Sequence, residues 1–305
     1  ATGGYIVSPR PSEYSTDYKA LQLVKKIIDG FKYHPYFFIL RAFGTADPPI
    51  IPYAHQQELI LRSVFRRPIR VLIGDEIGLG KTIEAIAIAK YLGEHGEVGK
   101  ILILVPRILL EQWLSELQRA GITRPKLKRI ERHTIGLLRD EPGWYVASID
   151  LVKREEHRGK ITGINWDLVI VDEAHRVGKV GGEETLRYEL VKQLVSKPNV
   201  NVLFLSATPH RGKADDYIER LRLVDPYLQG SVRELDTVDF YMLTRNSIVF
   251  RRSKNDINRV YEKGLFPSCS FEAVVTGATE YEKEFNKLLL AFLRGKLLKY
   301  YEAVD

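Results

Sequence analysis

A glycine-rich loop that ends in a lysine and a threonine is the part of the sequence whose residue types point most directly to chemistry. Residues 74–82 read GDEIGLGKT and follow an apolar run. Gly78 and Gly80 let the backbone curl so that successive N–H groups point inward at a phosphate. Lys81 is then expected to reach the β- and γ-phosphates of a nucleotide, and the Thr82 hydroxyl is expected to hold Mg²⁺.

The first position of this loop departs from the common pattern G-x-x-x-x-G-K-[ST], because Asp75 stands where the pattern has glycine. The alternative is a glycine-rich turn with a solvated lysine. The order of strand, loop, Gly-Lys-Thr and helix favours a nucleotide site over that alternative. The predicted nucleotide-binding residues of the loop are Asp75, Glu76, Ile77, Gly78, Leu79, Gly80, Lys81 and Thr82.

A pair of carboxylates forms the second candidate element, in the stretch LVIVDEAH at 168–175. Asp172, at the end of the apolar run, is placed to hold Mg²⁺ through its water shell, and Glu173 to polarise an attacking water. Two adjacent acids alone would be read as a solvated turn. Together with a phosphate loop they predict a catalytic site, in which we expect His175 to couple the site to a neighbouring element.

Short apolar runs alternate with helical patterns along the chain, and this alternation predicts where the site residues lie. The runs are continuously apolar, as expected for parallel strands covered on both faces. The pattern predicts a doubly wound α/β domain over residues 50–228, with ligands at the carboxyl ends of the strands. The predicted strands are 69–73, 101–105, 144–148, 168–171 and 202–206, and the predicted helices are 82–91, 108–120 and 183–195.

The predicted helix 108–120 carries a stripe of apolar residues. Helical spacing places on one face Ile108, Leu109, Trp113, Leu114 and Leu117. We interpret Trp113, with Trp144 and Trp166, as a core residue.

Composition limits the classes of protein that fit. The 305 residues include 46 basic and 39 acidic ones, a net charge of +7 that permits a polyanionic partner without requiring one. The single Cys269 excludes an internal disulfide and a cysteine metal cluster. The sequence has no apolar run long enough for a membrane span and begins without a signal pattern, so we expect a cytoplasmic protein with no membrane partner.

The stretches DEIGLGKT, DEAH and SAT, in this order, resemble motifs I, II and III of superfamily 2 helicases and translocases. The form D-E-x-G-L-G-K-T is similar to the Swi/Snf-type ATPases, in the RapA-like branch, where aspartate at the first loop position is usual. The resemblance implies a RecA-like P-loop NTPase domain that uses ATP and Mg²⁺. It also implies that Ser206, Ala207 and Thr208 couple ATP hydrolysis to movement.

Further stretches agree with this resemblance. Residues 52–56 resemble the adenine-reading glutamine motif, which implies that Gln56 contacts the base. LVPRILLEQW and ASIDLVKR resemble motifs Ia and Ib, which lie along the nucleic-acid track, and the candidate contacts are Arg107, Ser148 and Arg211. For Arg107, solvation at a helix start remains an equal alternative. We interpret three other basic clusters as solvated faces: Arg66-Arg67, Lys126-Lys128-Arg129 and Arg251-Arg252.

The segments outside residues 50–228 resemble this family less closely. Residues 1–49 predict a small helical accessory segment, whose aromatic run at 33–43 we expect to pack rather than to stack on bases. Residues 229–305 form a mostly helical extension that resembles a connector and the start of a second lobe, with a helical stretch predicted at 278–305. The sequence has no second strand–helix series and no Q-x-x-G-R-x-x-R pattern. Because arginine fingers contribute roughly 10³- to 10⁵-fold to turnover, we expect an N-terminal ATP-binding lobe that is weakly active alone.

Three functions stay open at this point. The first, which the resemblance favours, is an ATP-dependent translocase on double-stranded DNA. The second is a strand-separating DNA or RNA helicase. The third is a nucleotide-gated scaffold that acts on RNA polymerase or a defence complex, although intact Lys81, Asp172 and Glu173 argue against a degenerate ATPase.

Overall fold

The computed structural model describes most of the chain between residues 53 and 293. The described residues are 39, 42–44, 50, 53–180, 183–208, 214–244, 247–259, 264–267 and 277–293. The chain divides into two compact units, residues 1–265 and 266–305. Most of the predicted accessory segment 1–49 and the candidate Arg211 lie outside the described residues.

A parallel sheet forms the centre of the first unit. Its strands in chain order are β1 Arg70–Ile73, β2 Lys100–Val105, β3 Leu127–Ile130, β4 Gly143–Ser148, β5 Leu168–Val171, β8 Asn201–Leu205 and β9 Val249–Phe250. Between β5 and β8, the short strands β6 Lys179–Val180 and β7 Glu183–Glu184 form an antiparallel pair. The spatial order of the sheet is β3-β4-β2-β5-β8-β1-β9, and all of its pairs are parallel.

Helices connect the strands and cover both faces of the sheet. In chain order they are α1 Ala54–Val64, α2 Lys81–Glu94, α3 Leu110–Arg119, α4 Ile149–Val152, α5 Glu155–Thr162, α6 Leu186–Val195, α7 Ala214–Val224, α8 Val232–Leu235, α9 Val238–Thr244 and α10 Lys254–Asn258 in the first unit, and α11 Glu280–Phe292 in the second. Short 3₁₀ turns occur at Arg107–Leu109, Ile135–Leu137 and Ala174–Arg176.

The five inner strands, β1, β2, β4, β5 and β8, are largely apolar because they pack helices on two sides. Alternate residues of a strand point to opposite faces. Val71 and Ile73 join the cluster under α1, α2 and α3, whereas Leu72 joins the cluster under α5, α6 and α7. A strand covered on both faces has no position where a polar side chain reaches water. The prediction of a parallel α/β sheet with helices on both faces is therefore confirmed.

The predicted helix 108–120 begins later than its apolar stripe indicates. Residues 107–109 form a 3₁₀ turn, and the α-helix starts at Leu110. Ile108 is 84% exposed, whereas Trp113 and Leu117 are buried. A 3₁₀ turn has three residues per turn, which shifts side chains off the α-helical stripe. The expectation that Ile108 shares the buried face is therefore wrong.

Two strands of the large sheet, β3 and β9, were not predicted from the sequence, and neither was the pair β6 and β7, whose second strand falls in the predicted helix 183–195. Strand β3 contains Lys128 and Arg129 of a cluster interpreted as a solvated face; it buries Leu127 and Ile130, while Lys128 is half-buried and Arg129 is exposed. Strand β9 has two residues and pairs with β1. Because β9 follows residue 228, the sheet uses residues on both sides of the predicted boundary, and the division at 228 stays a prediction.

The described part of the second unit is a single helix. Helix α11 starts at a capping box in which Thr279 and Glu282 exchange side-chain and backbone hydrogen bonds. It lies within the stretch 278–305 that the sequence predicts to be helical.

Candidate nucleotide site

The phosphate loop follows β1 directly and leads into α2. Gly78 and Gly80 have φ angles of +88° and +90°, the left-handed region that favours glycine. A Cβ atom on Gly80 would meet Gln56 Nε2, so the Gln56 side chain would have to move and give up its hydrogen bond to the Leu79 carbonyl oxygen. The backbone conformation therefore favours glycine at position 80, and glycine also leaves this contact of Gln56 intact.

Lys81 lies against the backbone of the loop. Its Nζ donates hydrogen bonds to the carbonyl oxygens of Asp75 at 2.6 Å and Glu76 at 3.2 Å. Burial lowers the pKa of Lys81, while the negative charges of Asp75 and Asp172 oppose this shift. The ammonium group thus contacts the phosphate loop and lies close enough to the carboxylates that follow β5 for their charges to act on it.

Two donors orient the carboxylate of Asp172. The Trp113 indole Nε1 donates to Oδ2 at 2.8 Å, and the Glu173 backbone N–H donates to Oδ1 at 2.7 Å. Burial raises the pKa of Asp172, and these two hydrogen bonds act in the opposite direction. Sequence analysis placed Trp113 in the core, where it is, but missed its polar contact. No sequence pattern indicates such a contact, because it joins residues on separate elements.

Glu173 has an unusual backbone conformation. Its φ is +50°, and it is the only non-glycine residue with positive φ among those that the structure describes. Such conformations cluster at functional sites, where the surrounding structure maintains them. In this turn the backbone N–H of Glu173 donates to Asp172, and the side chain of Glu173 contacts His175, with Oε2 of Glu173 lying 3.0 Å from Nδ1 of His175.

His175 also approaches the residue that follows β8. Its Nδ1 lies 3.4 Å from the Ser206 hydroxyl oxygen. Ser206 is buried, Ala207 is half-buried and Thr208 is exposed. The structure thus brings the DEAH and SAT stretches into contact through His175 and Ser206. The coupling role of these residues stays a prediction.

The side chain of Asp75 is engaged by a residue of the connector segment, which we define as residues 247–259. Asp75 is fully buried, and its Oδ2 lies 2.5 Å from Arg252 Nη2. Its Oδ1 accepts hydrogen bonds from the Arg252 backbone N–H at 2.9 Å and from Nε at 3.0 Å. Burial alone would lower the pKa of Arg252, but the hydrogen bonds with Asp75 raise it.

Glu76 also faces the connector segment. Its Oε2 accepts the Lys254 backbone N–H at 2.8 Å. Ile77 is 72% exposed, and Leu79 is fully buried. The interpretation of Arg251-Arg252 as solvated is therefore wrong for Arg252, which is buried, and holds for Arg251, which is exposed. The sequence signal that could have indicated strand β9 is the apolar pair Val249 and Phe250, directly before the two arginines.

Helix α1 supports the loop from the other side. The Gln56 Nε2 donates to the Leu79 carbonyl oxygen at 3.2 Å, and the His55 Nε2 lies 2.9 Å from the same oxygen. Gln56 Oε1 accepts the backbone N–H of Tyr53 at 3.0 Å. Burial lowers the pKa of His55, which favours the neutral ring. Gln56 thus lies at the phosphate loop, and its contact with adenine stays a prediction.

A buried cluster beside the loop has the composition of a metal site but is filled by a cation of the protein. One atom from each of His55, Asp75 and Glu84 lies within 4.8 Å of the others. The Arg252 guanidinium pairs with Asp75 and lies 3.5 Å from Glu84 Oε1. Burial and then the neighbouring Asp75 raise the pKa of Glu84 well above its usual range. We assign no metal to this cluster.

The residues at the carboxyl ends of β1 and β5 fit a magnesium-bound nucleotide. Thr82 is half-buried in the first turn of α2, and Asp172 is held in one orientation by two donors. Hydroxyl and carboxylate oxygens are the ligands that Mg²⁺ prefers. The N–H groups of Gly74, Glu76 and Leu79 are hydrogen-bonded within the protein, so a phosphate is expected at the N–H groups nearer the start of α2.

A second concave surface lies at the carboxyl ends of β2, β3 and β4. This arginine cleft, with a volume of about 400 Å³, brings together the predicted nucleic-acid residues Arg107 and Ser148. Its further basic lining residues are Arg129, Arg132 and Arg154. Arg129 is partly neutralised by Glu111 at 2.5 Å and Glu131 at 2.9 Å. Arg107 is exposed, so its guanidinium faces the cleft or solvent rather than the core.

Among the described residues, no helix has the length and apolar character needed to cross a membrane.

The fold and the arrangement of loop and carboxylates define a RecA-like P-loop domain. The SWI2/SNF2 ATPase core of Sulfolobus solfataricus in complex with dsDNA aligns with a TM-score of 0.54 at 20% identity, over 70% of this chain and 47% of that one. The Hef helicase domain of Pyrococcus furiosus aligns with a TM-score of 0.51 at 23% identity, over 83% and 48%. At these identities the likeness shows the shared fold, which the sequence analysis predicted.

The chain belongs to the SNF2-related domain family, whose sequence profile matches residues 55–240. It is 36% identical over 184 residues to the uncharacterized ATP-dependent helicase YqhH of Bacillus subtilis, over 60% of this chain and 31% of that protein. It is also 36% identical over 179 residues to the RNA polymerase-associated protein RapA of Pseudomonas putida, over 57% and 19%. The chain therefore spans less than a third of the length of either relative. The predicted family is confirmed.

Proposed function

We propose that this chain binds ATP with Mg²⁺ and hydrolyses it only weakly alone, and that in the whole protein hydrolysis of this ATP drives movement along double-stranded DNA. The observation that carries the proposal is the position of Lys81, which contacts the backbone of the phosphate loop and lies within electrostatic range of Asp172 and Glu173. A cation, a glycine loop and two carboxylates at one sheet edge are the parts that phosphoryl transfer requires.

Each residue has a distinct task in this proposal. The loop N–H groups and Lys81 bind the β- and γ-phosphates, and Lys81 exchanges its hydrogen bonds with loop carbonyls for bonds to phosphate. Thr82 and Asp172 hold the magnesium ion, which when bound neutralises charge that develops on the phosphate oxygens. Glu173 orients the attacking water and accepts its proton. His175 transmits the state of Glu173 to Ser206.

The arginine cleft supports nucleic acid as the substrate along which the chain moves. Arginines that contact phosphates fix the position of a strand without reading its sequence. The Sulfolobus solfataricus neighbour is a complex with dsDNA, which favours duplex DNA over RNA or a single strand. Arg107 and Ser148 are the proposed contacts in the described part of the chain, and Arg211 remains a third proposal.

RNA polymerase is the proposed protein partner. The relatives named RapA are RNA polymerase-associated proteins, and the family profile that matches this chain at residues 55–240 spans both the phosphate loop and the DEAH stretch. This proposal concerns the whole protein, because the described surface offers no feature specific to a polymerase. Strand separation stays the alternative activity, and a duplex-unwinding assay distinguishes it from translocation.

The experiment that tests the function is steady-state ATP turnover with and without duplex DNA. Duplex DNA is expected to increase the rate. Glu173→Gln is expected to lower it at least about a hundredfold, because general bases contribute roughly 10²- to 10⁴-fold, and Lys81→Ala is expected to lower it because it removes a charged donor to the phosphates. Arg107→Gln is expected to raise the DNA concentration needed for half-maximal stimulation, and added salt to do the same.

Arg62→Gln is the matched control for the arginine cleft. Arg62 is an exposed arginine on α1 that pairs with Glu58 and does not line the cleft. Stimulation that responds equally to Arg62→Gln and Arg107→Gln would contradict the proposed DNA contact. Turnover that survives Lys81→Ala would contradict the proposed ATPase.

A further inference from the structure

The hydrogen bond between Trp113 and Asp172 joins an element of the arginine cleft to the nucleotide site. Trp113 is 1% exposed, and its indole Nε1 lies 2.8 Å from Asp172 Oδ2. The indole N–H is a donor only, so it binds the carboxylate in one orientation. The other oxygen, Oδ1, accepts the backbone N–H of Glu173.

These two donors leave Asp172 little freedom to rotate. One donor is the buried side chain of Trp113 on α3, and the other is a backbone N–H of the turn that follows β5. Hydrogen bonds to a charged carboxylate are stronger than those between neutral groups. A carboxylate fixed in this way presents its remaining lone pairs in one direction before any ligand arrives, which reduces the cost of ordering it on binding.

The helix that carries Trp113 begins at the arginine cleft. The 3₁₀ turn Arg107–Leu109 leads into α3, and Leu110, its first residue, lines the cleft together with Arg107. Trp113 lies about one turn further along the same helix. A shift of α3 at the cleft would therefore move the indole donor that holds Asp172.

We propose that Trp113 is a positioning residue that orients Asp172 for the magnesium ion of the bound nucleotide and so connects α3 to the nucleotide site. This inference rests on the proposed function. Trp113 touches neither substrate nor metal in this account, and it acts only through Asp172. Its removal therefore weakens the contribution of magnesium to nucleotide binding, rather than nucleotide binding in general.

The test compares Trp113→Phe with Trp166→Phe. Phenylalanine keeps an aromatic ring and removes the N–H donor. Trp166 is the matched control, because it is also buried and its Nε1 donates to the Ile161 carbonyl oxygen at the same distance of 2.8 Å, away from Asp172. Calorimetry measures the dissociation constant of ADP in EDTA and in Mg²⁺, and the ratio of the first to the second is the magnesium enhancement of binding. Urea unfolding measures the stability of each variant.

Trp113→Phe is expected to make the magnesium enhancement about tenfold smaller, because that factor corresponds to the free energy of one hydrogen bond to a charged group. Trp166→Phe is expected to keep the full enhancement even if it lowers stability. Equal enhancement in both variants overturns the inference. If the wild type binds ADP with no dependence on Mg²⁺ or on Lys81, the proposed function and this inference both fail, and that result differs from failure of the inference alone.

A measurement on the wild type keeps the inference testable if Trp113→Phe does not fold. The indole N–H signals of the three tryptophans are recorded by ¹⁵N–¹H NMR. Addition of Mg²⁺ with ADP is expected to shift the Trp113 signal and leave the Trp144 and Trp166 signals in place, while ADP with EDTA is expected to move none of them. A Trp113 signal that does not respond to Mg²⁺ overturns the inference.

Discussion

Asp75 shows how the side chain of one residue in the phosphate loop stabilises the fold, while its predicted part in nucleotide binding stays a prediction. Its carboxylate is fully buried and receives three donor groups of Arg252: the backbone N–H, Nε and Nη2. A buried carboxylate requires such partners, because burial without them costs several kcal/mol. Glycine at this position would leave Arg252 without its main partner. The departure from the common loop pattern therefore has a structural reason.

Gly78 and Gly80 share a backbone conformation but differ in surroundings, which allows a matched prediction. A left-handed conformation costs a residue with a side chain roughly 1–2 kcal/mol. Gly78→Ala is expected to incur that cost only, since its Cβ would lie 3.8 Å from Lys254. Gly80→Ala is expected to destabilise more and to weaken ADP binding further, because its Cβ would collide with Gln56.

The contribution of the collision is isolated by Gln56→Ala. In the Gly80→Ala background this change is expected to recover part of the lost stability in urea unfolding, because it removes the colliding amide. In the Gly78→Ala background it is expected to recover none. Recovery of the same size in both backgrounds would contradict the packing of Gln56 against the loop.

At the scale of elements, the connector segment runs beside the phosphate loop. The pairing of β9 with β1 continues past the strand ends, since Gly74 N donates to the Phe250 carbonyl oxygen and Glu76 N to that of Arg252. The side-chain pair of Asp75 and Arg252 lies under these hydrogen bonds. The phosphate loop is thus held by α1 on one side and by the connector segment on the other.

The pair is expected to contribute strongly to the free energy of unfolding. Arg252→Gln leaves the Asp75 charge buried without its partner, so a loss of about 3 kcal/mol is expected, the lower end for a broken buried pair. Arg251→Gln is the neighbouring control, and because Arg251 is exposed it is expected to change stability by less than about 0.5 kcal/mol. Urea unfolding midpoints measure both.

The double variant Asp75→Asn with Arg252→Gln checks the cause. It is expected to be more stable than Arg252→Gln alone, because no unpaired charge stays in the interior. Equal unfolding midpoints for Arg251→Gln and Arg252→Gln would contradict the role assigned to the buried pair.

On the scale of the whole molecule, both candidate sites lie at one edge of one sheet. The nucleotide site follows β1 and β5, and the arginine cleft follows β2, β3 and β4. Strand β2 lies between β4 and β5, so the two sites are neighbours across the sheet. Helix α3, which starts at the cleft and contacts Asp172 through Trp113, spans the interval between them.

The sequence predicts the core of this arrangement because its signals are local. The apolar runs of β1, β2, β4, β5 and β8 are contiguous, and the phosphate loop and DEAH stretch each follow a strand. The contacts of Arg252 with Asp75 and of Trp113 with Asp172 join residues 177 and 59 positions apart, and no local pattern indicates them. Strands β3 and β9 lie at the sheet edges, where short length and exposed polar residues weaken the apolar signal.

The measurement that tests the central claim most directly is the affinity of the chain for a nonhydrolysable ATP analogue with Mg²⁺. The variant is Lys81→Ala, and the control is Lys100→Ala. Lys100 begins β2, at the opposite end of the sheet from the phosphate loop, and its Nζ lies 2.6 Å from Asp140 Oδ1. Lys81→Ala is expected to weaken binding by about tenfold or more, since it removes a charged donor to the phosphates. Lys100→Ala is expected to keep the wild-type affinity. Equal affinities for the wild type and both variants would contradict a nucleotide site at this loop.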